Sequence, residues 1–296
     1  MSDDVKPDIN KAKVRYGTVN KEYGFRLATT APADDGPIWM VNLMSYRAKA
    51  DYADGREAEY SGKEAEDRYA PLGPLKAIGA QPVFLADVDT QFLNDTPKWD
   101  RVGIVKYPSR RAFIEMQSRP DFQELHHHKE AGMAETIVAG CLPMELPPLP
   151  ADAPSWADVP HPPTAADPYV VVVHVIKFKD DDRRDEMATY TDHAAKIAVP
   201  HGVRLAAWTQ VEGTIMGDGR EWDQIRFNVF PSRAAFMAVV MDPERSAAQA
   251  THRETAIADT YTLITRPTID LLYESITGEP NPYPCLLYTS PSPRDS

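Results

Sequence analysis

The amino-acid sequence predicts an α+β fold in which two tandem ferredoxin-like βαββαβ units share one chain. Three observations carry that prediction. The chain repeats itself, each copy runs through the same order of strand and helix signals, and a proline-rich stretch separates the copies. Residues 99–120 (WDRVGIVKYPSRRAFIEMQSRP) and 222–243 (WDQIRFNVFPSRAAFMAVVMDP) match at an offset of 123, with eight of 22 positions identical. After a one-residue shift the match resumes, pairing His128-Lys129-Glu130 with His252-Arg253-Glu254 and Pro143 with Pro267. Upstream, MVNLMSYR (40–47) aligns with VVHVIKFK (172–179). Self-similarity in three ordered blocks marks a duplicated structural unit.

Each element has its own signal. Ile38–Tyr46 and 169–178 are short apolar runs rich in strand formers, the first strand of each copy. A helix follows. In the first copy it should start at the capping box Ser61-Gly62-Lys63-Glu64 and run to about residue 78; in the second it should span roughly 182–199. Gly79 and Gly202 stand where a left-handed C-cap is wanted. The next strands are 82–88 and 203–212, and Gly217-Asp218-Gly219 is a hairpin turn signal. The strands opening at Trp99 and Trp222 follow, with Ile225, Phe227 and Val229 alternating against Gln224, Arg226 and Asn228. Pro108 and Pro231 end them, because proline cannot donate to the ladder. Ser109 and Ser232 are placed to cap the next helix, which Pro120 and Pro243 interrupt or restart. Last strands near 135–142 and 259–266 close the copies.

One sheet face of such a unit is covered by its helices, and two copies can bury the other faces against each other as a barrel. The domain limits are then a 1–36 extension, a first unit 37–143, a linker 144–167, a second unit 168–276 and a disordered tail 277–296. Residues 143–168 hold nine prolines in 26 positions, a stiff, extended connector. A short helix is expected near 268–276, and the segment 1–36 has no place in the repeat.

Composition narrows the function classes. Formal net charge is −12, which repels nucleic acid and anionic membranes, and no basic stripe compensates. No run of apolar residues is long enough to span a membrane. The N-terminus MSDDVKPDINKAK lacks the basic start and apolar stretch of a secretory signal, so a cytoplasmic location is expected. Cys141 and Cys285 make neither a zinc cluster nor a disulfide framework. GxSxG, GxGxxG and P-loop motifs are all lacking. The last twelve residues, CLLYTSPSPRDS, resemble the in-frame translation of a transposon-type sequencing adapter and are left out of the fold.

The stretches MVNLMSYR, DGRE…SGKEAEDRY (54–69), WDRVGIVKYPSRRAF and the HKEAGMAET region resemble a bacterial family, the domain of unknown function numbered 1330, in the dimeric α/β-barrel superfamily. The resemblance is stronger in the first copy. It implies two ferredoxin-like units packed as an intramolecular dimeric α/β-barrel, helices outside, with a cavity. The superfamily includes cofactor-independent monooxygenases, lactone isomerases and haem-degrading enzymes, so the resemblance implies no single reaction.

Five residues are candidates for a site. Asn42 and His174 hold the same place in the repeat, each a lone polar residue in an apolar strand. Such a side chain is either a satisfied core group tying strands together or the wall of a wet cavity. If His174 meets a cavity it is the candidate acid/base. Arg226 and Asn228 share one strand face, where Arg226 can bind a carboxylate or an enolate-like anion if that face points into the barrel. Trp222 anchors a barrel end or walls a substrate pocket. The three histidines His126-His127-His128 cannot chelate one ion together, because adjacent helical residues diverge by about 100°. The i,i+4 pairs Glu124/His128 and His126/Glu130 could, but a helix-end role for His128, matched by His252, is the preferred reading and no metal is expected. The expected partner is thus a small acidic or aromatic molecule in the barrel, with His174 catalytic and Asn42, Arg226, Asn228 and Trp222 binding. The chemistry expected is cofactor-independent isomerisation, decarboxylation or oxygenation. Two other readings stay open, a non-catalytic binding or structural module and a haem protein. A duplicated barrel needs no partner to close, which favours a monomer or weak homodimer.

Overall fold

A computed structural model of the chain describes residues 11–94, 96–180 and 184–284. The adapter-like segment 285–296 lies outside the described residues. Ten strands form one hydrogen-bonded sheet: β1 (Lys11–Val14), β2 (Gly17–Asn20), β3 (Ile38–Tyr46), β4 (Gln81–Leu93), β5 (Arg101–Tyr107), β6 (Met133–Pro143), β7 (Val170–Phe178), β8 (Arg204–Gly217), β9 (Gln224–Phe230) and β10 (Ile257–Asp270). Their order is β1-β2-β8-β6-β3-β5-β4-β10-β7-β9, and β8 also pairs with β9. Eight strands therefore close an antiparallel barrel, the fold expected from two βαββαβ copies.

The chain divides into two compact units that are not its two halves. One takes residues up to 82 with 97–142 and 211–221; the other takes 83–96, 143–210 and 222–284. The cause is strand length. β4 and β8 have 13 and 14 residues, and each outruns the strand expected in its own copy.

In the first unit, β3 lies between β5 and β6. Helices α2 (Gly62–Tyr69), α3 (Leu72–Ala77), α4 (Arg110–Ser118) and α5 (Pro120–Gly132) follow the repeat. The capping box forms as expected, Ser61 and Glu64 each satisfying the other's backbone N–H. One continuous helix to residue 78 does not form, because Pro71 breaks it and α3 restarts the turn. The N-terminal segment, which has no counterpart in the repeat, supplies β1, β2 and α1 (Lys21–Thr29). Its anchor is Tyr23, whose hydroxyl donates to Glu212 Oε1 at 3.1 Å, while Arg110 Nε donates to both Glu212 oxygens at 3.0 Å.

In the second unit, β7 lies between β9 and β10. Its helices are α6 (Arg184–Ala198), α7 (Arg233–Val240), α8 (Pro243–Ala248), a π-helical turn Gln249–Arg253, α9 (Glu254–Ala256) and α10 (Leu272–Thr277). Gly202 takes the left-handed conformation after α6, with φ +83°. The proline-rich segment is docked: Trp156 is buried and its Nε1 donates to Gly202 O at 2.7 Å, and Ser232 Oγ donates to His161 O at 2.9 Å. A disordered tail from 277 is corrected as far as residue 284. Tyr283 is buried, and its hydroxyl donates to Asp270, as does that of Tyr169. Asp100 and Asp223, at matching places in the two copies, each accept from a backbone N–H, of Tyr46 and Phe178, both at 2.7 Å.

Candidate functional site

The period of β7 sorts its side chains into two sets. Val170 and Val172 pack with Phe236 and Val239 of α7, and Ile176 and Phe178 pack with Met187 and Tyr190 of α6. His174 belongs to that helix-facing set, between the two clusters. Val171, Val173 and Val175 point the other way, with Ile225, Phe227 and Val229 of β9 and Leu263 of β10, and all are fully buried. Phe84 fills in against Phe227, ring centroids 5.5 Å apart. That face, the barrel side of this unit, is packed with apolar side chains. The expectation of a ligand pocket there is corrected.

The cavity lies on the opposite face, under the helices. It measures about 910 Å³. Across its floor runs one transverse row of the sheet. Trp208 is register-paired with Arg226, Arg226 with His174, and His174 with Thr262. Directly opposed residues of antiparallel strands share a face, so the row presents these four side chains together. All four line the cavity, as does Asn228, whose Oδ1 accepts from Trp208 Nε1 at 3.2 Å.

Cations dominate the row. Arg226 is 8% exposed; its Nε and Nη2 donate to Gln224 Oε1 at 3.0 and 2.7 Å, and Nη1 donates to Thr191 Oγ1 at 3.1 Å. Its guanidinium also lies 4.5 Å from the Trp208 ring centroid. Arg253 is 5% exposed and its Nη2 donates to His174 Nε2 at 2.6 Å. Arg253 Nε and Thr262 Oγ1 are buried with no hydrogen-bond partner among the described residues. Arg245 is half-buried at the same wall, bonded through Nη1 to Gln249 Oε1 at 3.3 Å. Among the described residues, none of these three arginines has a carboxylate within ion-pair reach.

Electrostatics follow from this geometry. Burial lowers the Arg226 guanidinium to about 10 and moves Arg253 downward as well. His174 is held far below the ordinary imidazole range, first by burial, then by Arg253, Arg226 and Arg245. An imidazole that accepts at Nε2 carries its proton on Nδ1, so the hydrogen bond assigns the neutral tautomer.

Arg253 and Thr262 complete the site, and the repeat held a signal for Arg253. Copy two gains one residue between Pro243 and His252, because the offset grows from 123 to 124. In copy one the helix α5 runs unbroken from Pro120 to Gly132, whereas copy two has the π turn at Gln249–Arg253. A π turn accommodates one extra residue and is frequent at functional sites. Here its last residue is the arginine that reaches His174.

The other candidates lie elsewhere. Asn42 belongs to the first unit, where its Nδ2 donates to Met40 O of its own strand at 3.0 Å and its register neighbours are Gly103 and Val138. Asn42 is not among the residues around the cavity that holds Arg226. Trp222 is buried against Tyr261, ring centroids 5.3 Å apart, and is not among the residues around the cavity. His128 Nδ1 lies 2.5 Å from the Tyr52 hydroxyl, and His126 Nε2 lies 3.1 Å from that of Tyr16. Burial lowers His126 to about 4. Among the described residues no helix is long and apolar enough to cross a membrane.

No family model and no curated protein matches the chain. Among solved structures, the methylated RPA0582 protein is 30% identical over 42% of this chain and 92% of that one, with a TM-score of 0.37. The RPA0582 protein of unknown function from Rhodopseudomonas palustris is 27% identical over 43% of this chain and 95% of that one, with the same TM-score of 0.37. A mutant chlorite dismutase from Candidatus Nitrospira defluvii is 13% identical over 77% of this chain and 90% of that one, TM-score 0.45.

Proposed function

We propose a function from the premise that this chain belongs to the family of the Rhodopseudomonas palustris protein RPA0582, itself of unknown function. The family supplies no reaction, so the reading rests on the site. Our proposal is that the second unit binds a small organic anion between its sheet and its helices. One observation carries it: Arg226 and Arg253 are almost fully buried at a mainly apolar cavity, and among the described residues neither has a carboxylate within ion-pair reach, although Asp192 and Glu254 stand on the same lining. Leaving a buried charge uncompensated costs on the order of several kcal/mol. A site that tolerates two such charges, with Arg245 beside them, is poised for an anion that supplies the missing charge. Arg253 Nε and Thr262 Oγ1 are donors already desolvated and waiting for an acceptor.

The same arrangement bears on chemistry. Two guanidiniums stabilise negative charge that develops on a bound carbonyl compound, as an enolate does. The anion draws Arg253 away from His174 Nε2 and favours the protonated ring, so His174 serves as the acid that returns a proton to the bound molecule, and binding precedes that transfer. Cofactor-independent isomerisation or decarboxylation is the reaction class that fits. A histidine-held haem finds less support, because His174, the one histidine around this cavity among the described residues, has its Nε2 engaged by Arg253. A purified protein without absorbance near 400 nm agrees with that ranking.

Titration with carboxylates, followed by calorimetry or by Trp208 fluorescence, tests the proposal. Arg226→Met and Arg253→Met should each weaken binding at least tenfold, with circular-dichroism melts unchanged or raised. Wild-type affinity in the double variant would sink the anion reading, as would failure of every acid to bind the wild type.

A further inference from the structure

We infer that the anion is a carboxylate with a long apolar body, not a short acid. This rests on the anion reading above and deepens it. The cavity, at about 910 Å³, stands near the top of the roughly 300–1,000 Å³ range of small-molecule pockets. Its polar groups are not spread evenly. The unpartnered donors, Arg253 Nε and Thr262 Oγ1, sit on or beside the row that carries His174 and Arg226. Away from that row most of the wall is apolar, with Val203, Phe230, Phe236 and Val239, then Leu146 and Leu149 of the proline-rich segment, and Glu145, Asp192 and Arg204 are charged groups on the same lining.

A short acid would satisfy the donors and leave most of this space without contacts. A void lined by apolar side chains forfeits dispersion on every wall and gains nothing from water. The rim of the cavity is also marked, at Phe92, the chain neighbour of Leu93, which is the register partner of Thr262, and at Leu149. Phe92 and Leu149 are 41% and 45% exposed, although large apolar side chains are otherwise mostly buried in this chain, and both line the cavity. An apolar rim costs solvation unless an apolar ligand covers it. The ligand therefore has its carboxylate at Arg253, Arg226 and Thr262 and its body against the apolar walls at Val203, Phe230, Phe236 and Val239, covering Phe92 and Leu149. A straight acyl chain and a fused-ring body share that chemistry.

Calorimetric titration of the full chain with hexanoate, octanoate, decanoate and dodecanoate measures this directly. The body's contribution should raise affinity by about fourfold per added methylene. A fused-ring carboxylic acid of dodecanoate's size is the second arm; whichever of the two binds tighter identifies the body's shape. Dodecanol should bind at least tenfold more weakly than dodecanoate, and dodecyl phosphate tests whether a second negative charge is accepted. Phe236→Ala should flatten the chain-length slope, whereas Arg253→Gln should weaken all the acids alike and leave the slope intact. Equal affinity from hexanoate to dodecanoate overturns the long-body inference and leaves the anion reading standing. Failure of all acids, or alcohol binding as tight as acid binding, overturns both.

Discussion

At the scale of single residues, the site is a contest over one proton. His174 stays neutral because burial and the guanidiniums of Arg253, Arg226 and Arg245 oppose a further positive charge. Tyr190 and Thr191 of α6 and Thr262 of β10 also line its surroundings uncharged; Asp192 and Glu254 stand on the same cavity, Glu254 acting on Arg253, and the charges that act on His174 itself are the three guanidiniums. A bound carboxylate does, and it favours the protonated ring. Binding should then take up a proton, and affinity should fall as pH rises through the raised value. Calorimetry between about pH 5 and 8 in two buffers of different ionisation enthalpy reads that uptake; His174→Gln should abolish it. Binding without proton exchange in the wild type would contradict the account. Asp270 gives a second titration. It is fully buried and accepts from the hydroxyls of Tyr169 and Tyr283, yet burial outweighs those bonds and raises it to about 6. The folded chain holds this proton more tightly than the unfolded one. Its stabilising effect is full below the ordinary carboxylate range and is lost as pH rises through about 6. The gap from 3.8 to about 6 is worth on the order of 3 kcal/mol. Asp270→Asn should therefore melt higher than wild type at pH 8 and no higher at pH 4. His174, Arg226 and Asn228 were legible in the sequence because polar residues interrupt apolar strands. Their face was not, since a period of two tells which residues share a face but not which layer lies over it.

At the scale of elements, the π turn is what brings Arg253 to the proposed site. It exists because copy two carries one residue more than copy one between the shared proline and the shared histidine. The sequence displays this as a one-residue slip, visible but silent about its consequence. Consecutive helical residues differ by about 100° in direction. Removing one residue from the turn, as in deletion of Ala250, should restore an α-helix like α5 and swing Arg253 off His174. Carboxylate binding should drop at least tenfold while the helical circular-dichroism signal holds. Retained affinity would mean that Arg253 is not the anchor. The connectors were the least legible elements. Proline content gave stiffness and extension, but the docking of Trp156 on Gly202 depends on a carbonyl left open by the turn after α6, which no local pattern encodes.

At the scale of the whole molecule, duplication gave the fold and divergence gave the site. Repeat order sufficed to expect two βαββαβ copies and a closed sheet, because that order leaves few ways to bury both faces. The row that holds Arg226, His174 and Thr262 in one copy holds Gly103, Asn42 and Val138 in the other. Arg253 is matched by Lys129, which lies over Tyr69 at 5.4 Å on an uninterrupted helix. The chain should accordingly bind one carboxylate, not two, and calorimetric stoichiometry measures this. Converting the second copy to the first, as His174→Asn with Arg226→Gly, should take the stoichiometry to zero. The reverse change, Asn42→His with Gly103→Arg, should create no second site, since copy one lacks the π turn that delivers the second guanidinium. A stoichiometry of two in the wild type would place a site on the symmetric features, and the asymmetry of the row would then be incidental to binding.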